Sequence, residues 1–163
     1  MIAALVLAAG ASSRYGTTPP KQAVHSDAVV AALKASTVDD IVVVTGAHEI
    51  ETGARLVSCP DWERGPGASL RCGLAALDDE TEAAVVVLAD GPELDPRAVD
   101  RVVASWREDG GDVVAATYDG VRLHPVLLAR AAWTLVPDAG ARALPARLVP
   151  CDDLTPPGDV DER

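Results

Sequence analysis

The chain has 163 residues, a formal net charge of −11, three Trp, two Tyr and no Phe. That length fits one domain whose core needs no covalent staples, and so acidic a surface repels nucleic acid and anionic membranes. Cys59, Cys72 and Cys151 are widely spaced and include no Cys-x-x-Cys pair, which argues against a disulfide framework or zinc site and for a reducing, cytoplasmic setting.

The first predicted element is a strand over Ile2–Ala8, a short and almost wholly apolar run of the kind buried on both faces of a parallel sheet. No Lys or Arg precedes it and it is short, so it reads as a strand rather than as a secretory leader. It ends in Ala9 and Gly10, followed by Ser12, Ser13, Arg14, Gly16 and Lys21. Open α/β sheets bind ligands at the carboxyl ends of their strands. A turn there with glycines, two hydroxyls and two cations suits the phosphates of a nucleoside triphosphate. It is neither the Walker pattern, for no Gly-Lys-Ser/Thr occurs, nor the dinucleotide fingerprint, for no central glycine stands between Gly10 and Gly16. Its plain alternative is a βα turn with solvated cations.

A helix is predicted over Asp27–Ser36, with Val29, Val30 and Leu33 on one side. A strand follows at Asp40–Thr45 and a weaker one at Arg55–Cys59. Arg64-Gly65-Pro66-Gly67 leads into a helix over Ala68–Leu77, which places Ser69 and Arg71 early, near a base or phosphate or in a simple cap. The strand Ala83–Ala89 runs into Asp90-Gly91-Pro92. If this strand lies beside the first, Asp90 can hold Mg²⁺ against phosphate oxygens; otherwise it caps a turn before proline. Asp95 caps a helix that starts at Pro96, runs through Trp106 and stops at Gly110-Gly111.

Strands are then predicted at Asp112–Thr117, Val126–Ala129 and Arg147–Cys151. His124-Pro125, at the start of the second of these, lines an acceptor pocket or is a structural histidine. Arg142, in Gly140-Ala141-Arg142, offers an anion contact or sits in an ordinary turn. The alternation of β and α segments predicts a three-layer α/β/α sandwich around a mostly parallel sheet. After the turn at Thr155-Pro156-Pro157-Gly158, Asp159 and Asp161 alternate, so that one can face a metal; a solvated acidic tail is the alternative.

Taken in order, Leu7-Ala8-Ala9-Gly10 with Ser12, Arg14, Gly16 and Lys21, then Ser69-Leu70-Arg71-Cys72-Gly73-Leu74, Asp90-Gly91-Pro92, His124-Pro125-Val126-Leu127, Gly140-Ala141-Arg142 and Asp159-Val160-Asp161, resemble the MobA-like NTP transferase family. The likeness is strongest to its molybdenum cofactor cytidylyltransferase and guanylyltransferase branch. It implies one glycosyltransferase-A-like (Rossmann-like) domain over residues 1–163, a mixed and mostly parallel sheet, and transfer of CMP or GMP from an NTP to a phosphate-bearing acceptor such as molybdopterin, with release of pyrophosphate.

By that resemblance Arg14, Lys21 and Asp90 carry the chemistry. Ala8, Ala9, Gly10, Ser12, Ser13, Gly16, Gly65, Ser69 and Arg71 hold the nucleotide, Asp90 and Asp161 hold Mg²⁺, and His124 and Arg142 meet the acceptor. A molybdoenzyme partner is implied as well. The chain departs from the family pattern in four places. Four residues separate Gly16 from Lys21 where the family has two, about ten residues of the family pattern are absent after Lys21, Gly91 follows the metal Asp, and Leu123 precedes His-Pro. These departures leave two other functions to weigh: a non-catalytic cofactor-delivery protein for a molybdenum hydroxylase, and an NAD(P)H-dependent oxidoreductase of the nicotine blue reductase type.

Overall fold

A computed structural model describes residues 1–8, 21–46 and 54–158. Its elements in chain order are β1 (Ile2–Ala8), α1 (Lys21–Lys34), β2 (Asp40–Thr45), β3 (Arg55–Ser58), α2 (Pro66–Ala75), β4 (Ala83–Leu88), α3 (Pro96–Asp109), β5 (Val113–Tyr118), β6 (Val121–Ala129) and β7 (Arg147–Pro150). The strands form one sheet in the order β3-β2-β1-β4-β6-β5-β7. All pairs are parallel except the two that β6 makes, so β6 runs against the rest.

The two-residue period of the strands builds the layers. In β1, Ile2, Ala4, Val6 and Ala8 face one core; Ala3 and Leu5 face the other. β4 does the same with Val85 and Val87 against Ala84 and Val86. The first core is closed by α1 and α3 through Val29, Val30, Leu33, Val99, Val102 and Val103. The second is closed by α2 through Leu70, Leu74 and Leu77. The result is the α/β/α sandwich that the alternating pattern predicts. Each fully buried Val or Leu stabilises it by about 1.5–3 kcal/mol, so a core without Phe depends on the number of such residues rather than on their size.

Helix boundaries show where local signals acted. α3 begins as predicted, because the Asp95 carboxylate accepts from Arg97 N–H at 2.8 Å and Pro96 has no N–H to satisfy. It stops at Gly110, whose φ of 71° favours glycine. α1 opens at Lys21, six residues before the predicted Asp27. α2 likewise starts at Pro66 instead of Ala68 and ends at Ala75 instead of Leu77.

The largest difference lies in β6, which begins at Val121 rather than Val126 and so carries His124-Pro125 in its interior. Proline cannot donate to a ladder and is tolerated inside a sheet only at an edge or a bulge. Here it sits in a bulge. β5 pairs Ala115 with Val126 and Thr117 with Arg122, so two steps along β5 match four along β6. On its other side β6 pairs with β4 only as far as Val86–Val126, although β4 runs on to Leu88. Beyond that point the two strands part.

Candidate functional site

The parting of β4 and β6 opens a cleft of about 390 Å³ at the carboxyl ends of the central parallel strands. This is the edge at which open α/β sheets take ligands. Leu7 of β1, Val86 to Leu88 of β4, Leu70 of α2, Leu94, Leu123 and Val126 form largely apolar walls. Arg122, His124 and Arg142 are the polar side chains on the opposite wall, and the backbone of Gly91, Gly140 and Gly158 completes the rim.

Asp90 lies just past β4. Its strand is adjacent and parallel to β1, and Ala89 N–H donates to Leu7 O at 3.1 Å, so the carboxylate stands next to the end of β1. The condition attached to this residue on sequence grounds is therefore met. Its charge reaches His124. Burial pushes that imidazole down to about 4, with Asp90 pulling it up and Arg122 pushing it further down, so His124 is neutral at pH 7. Tyr118 O–H donates to the His124 carbonyl at 2.9 Å and fixes this part of β6.

The α2 wall is built by close backbone contact. Gly67 N–H donates to Asp138 O at 2.9 Å, and a Cβ on Gly67 would lie 1.6 Å from Pro137 O. The first-turn N–H of α2 is thus taken by the 137–138 backbone rather than left free for a ligand. Arg71 Nη2 donates to Asp138 Oδ1 at 2.6 Å and its Nη1 to Val136 O at 2.8 Å, with Arg64 3.8 Å from the other carboxylate oxygen. The Arg71 hydrogen bond is the main reason the Asp138 carboxyl lies below its ordinary range. Arg71 therefore braces the loop from Val136 to Gly140 against α2. Ser69 is buried, and Gly65 precedes the helix with φ 125°.

Of the residues singled out by sequence, His124 and Arg142 line the cleft. Ala8 and Asp90 each follow or precede a lining residue, Leu7 and Gly91. Gly65, Ser69 and Arg71 flank Pro66 and Leu70, which line it. Ala9, Gly10, Ser12, Ser13, Arg14, Gly16 and Asp161 lie outside the described residues; Lys21 opens α1. Pro157 and Gly158 line the cleft, and Pro157 O accepts from Glu93 N–H at 2.9 Å, so the segment that leads to Asp161 is laid over the loop after Asp90.

Two participants escaped the sequence reading. Asp138 anchors Arg71, and Arg122 lines the cleft two residues before His124. The period of two along a strand was the signal that could have found Arg122. Among the described residues no helix is long and apolar enough to cross a membrane, and all three cysteines are free thiols.

The model of the MobA-like NTP transferase domain matches residues 4–149. The bifunctional protein GlmU of Mycolicibacterium gilvum is 31% identical over 137 residues, which are 71% of this chain and 27% of that protein; the chain spans about a quarter of the length of this curated relative. The crystal structure of the Mycobacterium tuberculosis Rv0371c homologue from Mycobacterium sp. strain JC1 superposes with a TM-score of 0.79 at 25% identity, covering 98% of this chain and 90% of the other. Rv0371c of Mycobacterium tuberculosis H37Rv, solved as a complex with manganese, shares the fold with a TM-score of 0.76 at 22% identity, covering 99% and 93%. With a glycosyltransferase-A-like sheet, a cleft at its carboxyl edge and a family match over most of its length, this chain belongs to the MobA-like NTP transferases.

Proposed function

We propose that this chain, as one domain, transfers CMP or GMP from an NTP to a phosphate-bearing small molecule, with molybdopterin the favoured acceptor and a molybdoenzyme the recipient of the product. The observation that carries the reading is the cleft itself. It lies at the ends of β1 and β4, has Asp90 next to its lining residue Gly91, and carries Arg122 and Arg142 on its far wall.

In this reading an acceptor phosphate oxygen attacks the α-phosphorus of the NTP in line. The new P–O bond forms as the bond to the bridging α–β oxygen breaks, and pyrophosphate leaves with the bond electrons. Such chemistry asks the protein chiefly for positioning and for charge stabilisation. Gly10 to Gly16 would wrap the triphosphate, with Ala8, Ala9, Ser12 and Ser13 in the same turn and Arg14 and Lys21 balancing its charge. Gly65, Ser69 and Arg71 would shape the base and ribose side, Arg71 by holding the loop at Asp138. His124 and Arg142 would meet the acceptor.

The residues fit a divalent cation. Asp90 is a half-buried carboxylate beside the cleft, and Mg²⁺ takes one or two carboxylates together with substrate phosphates. Asp90 and Asp161 would hold it, and it would neutralise charge on the phosphate oxygens.

The test is release of pyrophosphate from CTP or GTP with Mg²⁺ and molybdopterin. No release with any NTP, together with no nucleotide-induced thermal shift, would overturn the reading. Nucleotide binding without turnover would favour cofactor delivery instead. Lys21→Ala should weaken triphosphate binding more than Lys34→Ala, and equal effects would remove the phosphate role from the loop.

A further inference from the structure

We infer that Arg122 is the positioning residue that aims Arg142 at an anionic group in the cleft. The inference rests on Arg142 as an anion contact, the role given to it above. Arg142 is exposed on the cleft rim, and among the described residues its guanidinium has no hydrogen-bond or ion-pair partner. It occupies the middle of a three-residue 3-10 turn, Ala141–Ala143, closed by only two backbone bonds: Ala143 N–H to Gly140 O at 3.1 Å and Leu144 N–H to Ala141 O at 2.9 Å. So short a turn has little stiffness of its own.

Arg122 supplies it. From β6 its Nη1 donates to Leu144 O at 2.7 Å and its Nη2 to Ala141 O at 3.0 Å, gripping the chain on both sides of Arg142. A planar fork can span two carbonyls in this way; an ammonium on a flexible stem cannot hold both in one fixed geometry. The partners of Arg122 are carbonyls, and among the described residues no carboxylate pairs with it. Among the described residues its buried Nε–H also lacks a partner. Its charge is therefore met by carbonyls and by no ion pair among the described residues, in the same cleft wall as Arg142. Two cations without an ion-pair partner among the described residues, above apolar walls, favour a ligand with an anionic head on an apolar body.

The experiment uses the whole chain and phenyl phosphate as the probe, with binding measured by calorimetry in the absence of NTP, metal and turnover. A failure of nucleotidyl transfer and a failure of this inference are then separate results. Arg142→Ala is expected to weaken binding about tenfold, the scale of one charge-assisted hydrogen bond. Arg122→Met and Arg122→Lys are both expected to match that loss, because neither can bridge the two carbonyls. Arg122→Met combined with Arg142→Ala should bind within about twofold of Arg142→Ala alone, since one residue acts through the other. Wild-type affinity in Arg142→Ala, recovery in Arg122→Lys, or losses that multiply in the double variant would each overturn the inference. Arg142 is exposed and has no partner among the described residues, so its variant keeps the test decisive even if Arg122→Met does not fold.

Discussion

Replacing Gly67 with alanine places a methyl group where the 137–138 backbone already stands. The new Cβ would lie 1.6 Å from Pro137 O, 2.6 Å from Pro137 C and 2.8 Å from Asp138 C, whereas real Cβ atoms keep at least 3.0 Å. Raising the first contact from 1.6 to 3.0 Å requires the loop to recede by roughly 1.4 Å, and every obstructing atom is backbone. Such a retreat breaks the 2.9 Å bond from Gly67 N–H to Asp138 O and pulls Asp138 from its 2.6 Å pair with Arg71. Overpacking of this kind costs about 1–3 kcal/mol, and the lost backbone bond costs about 1 kcal/mol. The better helix propensity of alanine returns up to about 1 kcal/mol, leaving a net loss near 2 kcal/mol. For a domain of this size that lowers Tm by about 4–8 °C. Differential scanning fluorimetry reads the shift, and hydrogen exchange at Asp138 to Gly140 should rise with it. A Tm within about 1 °C of the wild type would refute the argument that α2 and this loop are locked together by the missing Cβ.

If Asp90 holds the metal as proposed, Asp90→Asn should abolish metal-dependent turnover; activity within severalfold of the wild type would remove Asp90 from the metal. The Asp153 carboxyl is held down to about 2, first by its hydrogen bond from Arg101, which also donates to Pro150 O. A depressed carboxyl stabilises the fold above its unfolded pKa near 3.9 and loses that effect as pH falls through about 2. The Tm difference between wild type and Asp153→Asn should therefore be constant above about pH 4.5 and vanish toward pH 2; a difference that grows on acidification would contradict the pairing. Iodoacetamide at pH 8 should label native protein only at Cys72, and slowly, because burial and then the neighbouring Cys59 push that thiol up to about 11. Cys59 and Cys151 are buried and should react only after unfolding, as intact mass spectrometry can show.

The sandwich was legible because its signals are local and repeated. Apolar runs of strand length alternate with helix-spaced Val and Leu, and Asp95-Pro96 and Gly110 mark both ends of α3 without help from the rest of the fold. What eluded the sequence depends on contacts between distant segments. Nothing near Arg71 in the sequence announces its pairing with Asp138, 67 residues away. Arg122 carries no local signal of its grip on the turn around Arg142, because its partners are backbone carbonyls that any residue could supply. The strand start at Val121 was hidden by Pro125, which normally ends a strand; only its neighbours in the sheet show that here it marks a bulge.

That bulge links fold to function. A regular β6 would continue its ladder along β4 past Val86 and cover Val87 and Leu88 with strand backbone. With pairing halted at Val126, both remain available to the cleft, and the two extra residues of β6 bring Leu123 and His124 to its wall. The same strand places Arg122 within reach of the Ala141–Ala143 turn, so one irregularity both creates the space and orients the cations that face it. His124-Pro125 therefore shapes this wall of the cleft as much by what its backbone withholds from the ladder as by anything the imidazole contacts. Replacing Pro125 with valine restores an N–H that, by the alternation of Ala129 N–H on Asp112 O and Arg130 N–H on Glu82 O, faces β5; it gives β6 a means to close the bulge there and so to run on beside β4. The expected outcome is a narrower cleft with weaker phenyl phosphate binding and an unchanged or higher Tm. If binding stays at the wild-type level and the amide of residue 125 exchanges freely, the proline is not what holds the cleft open.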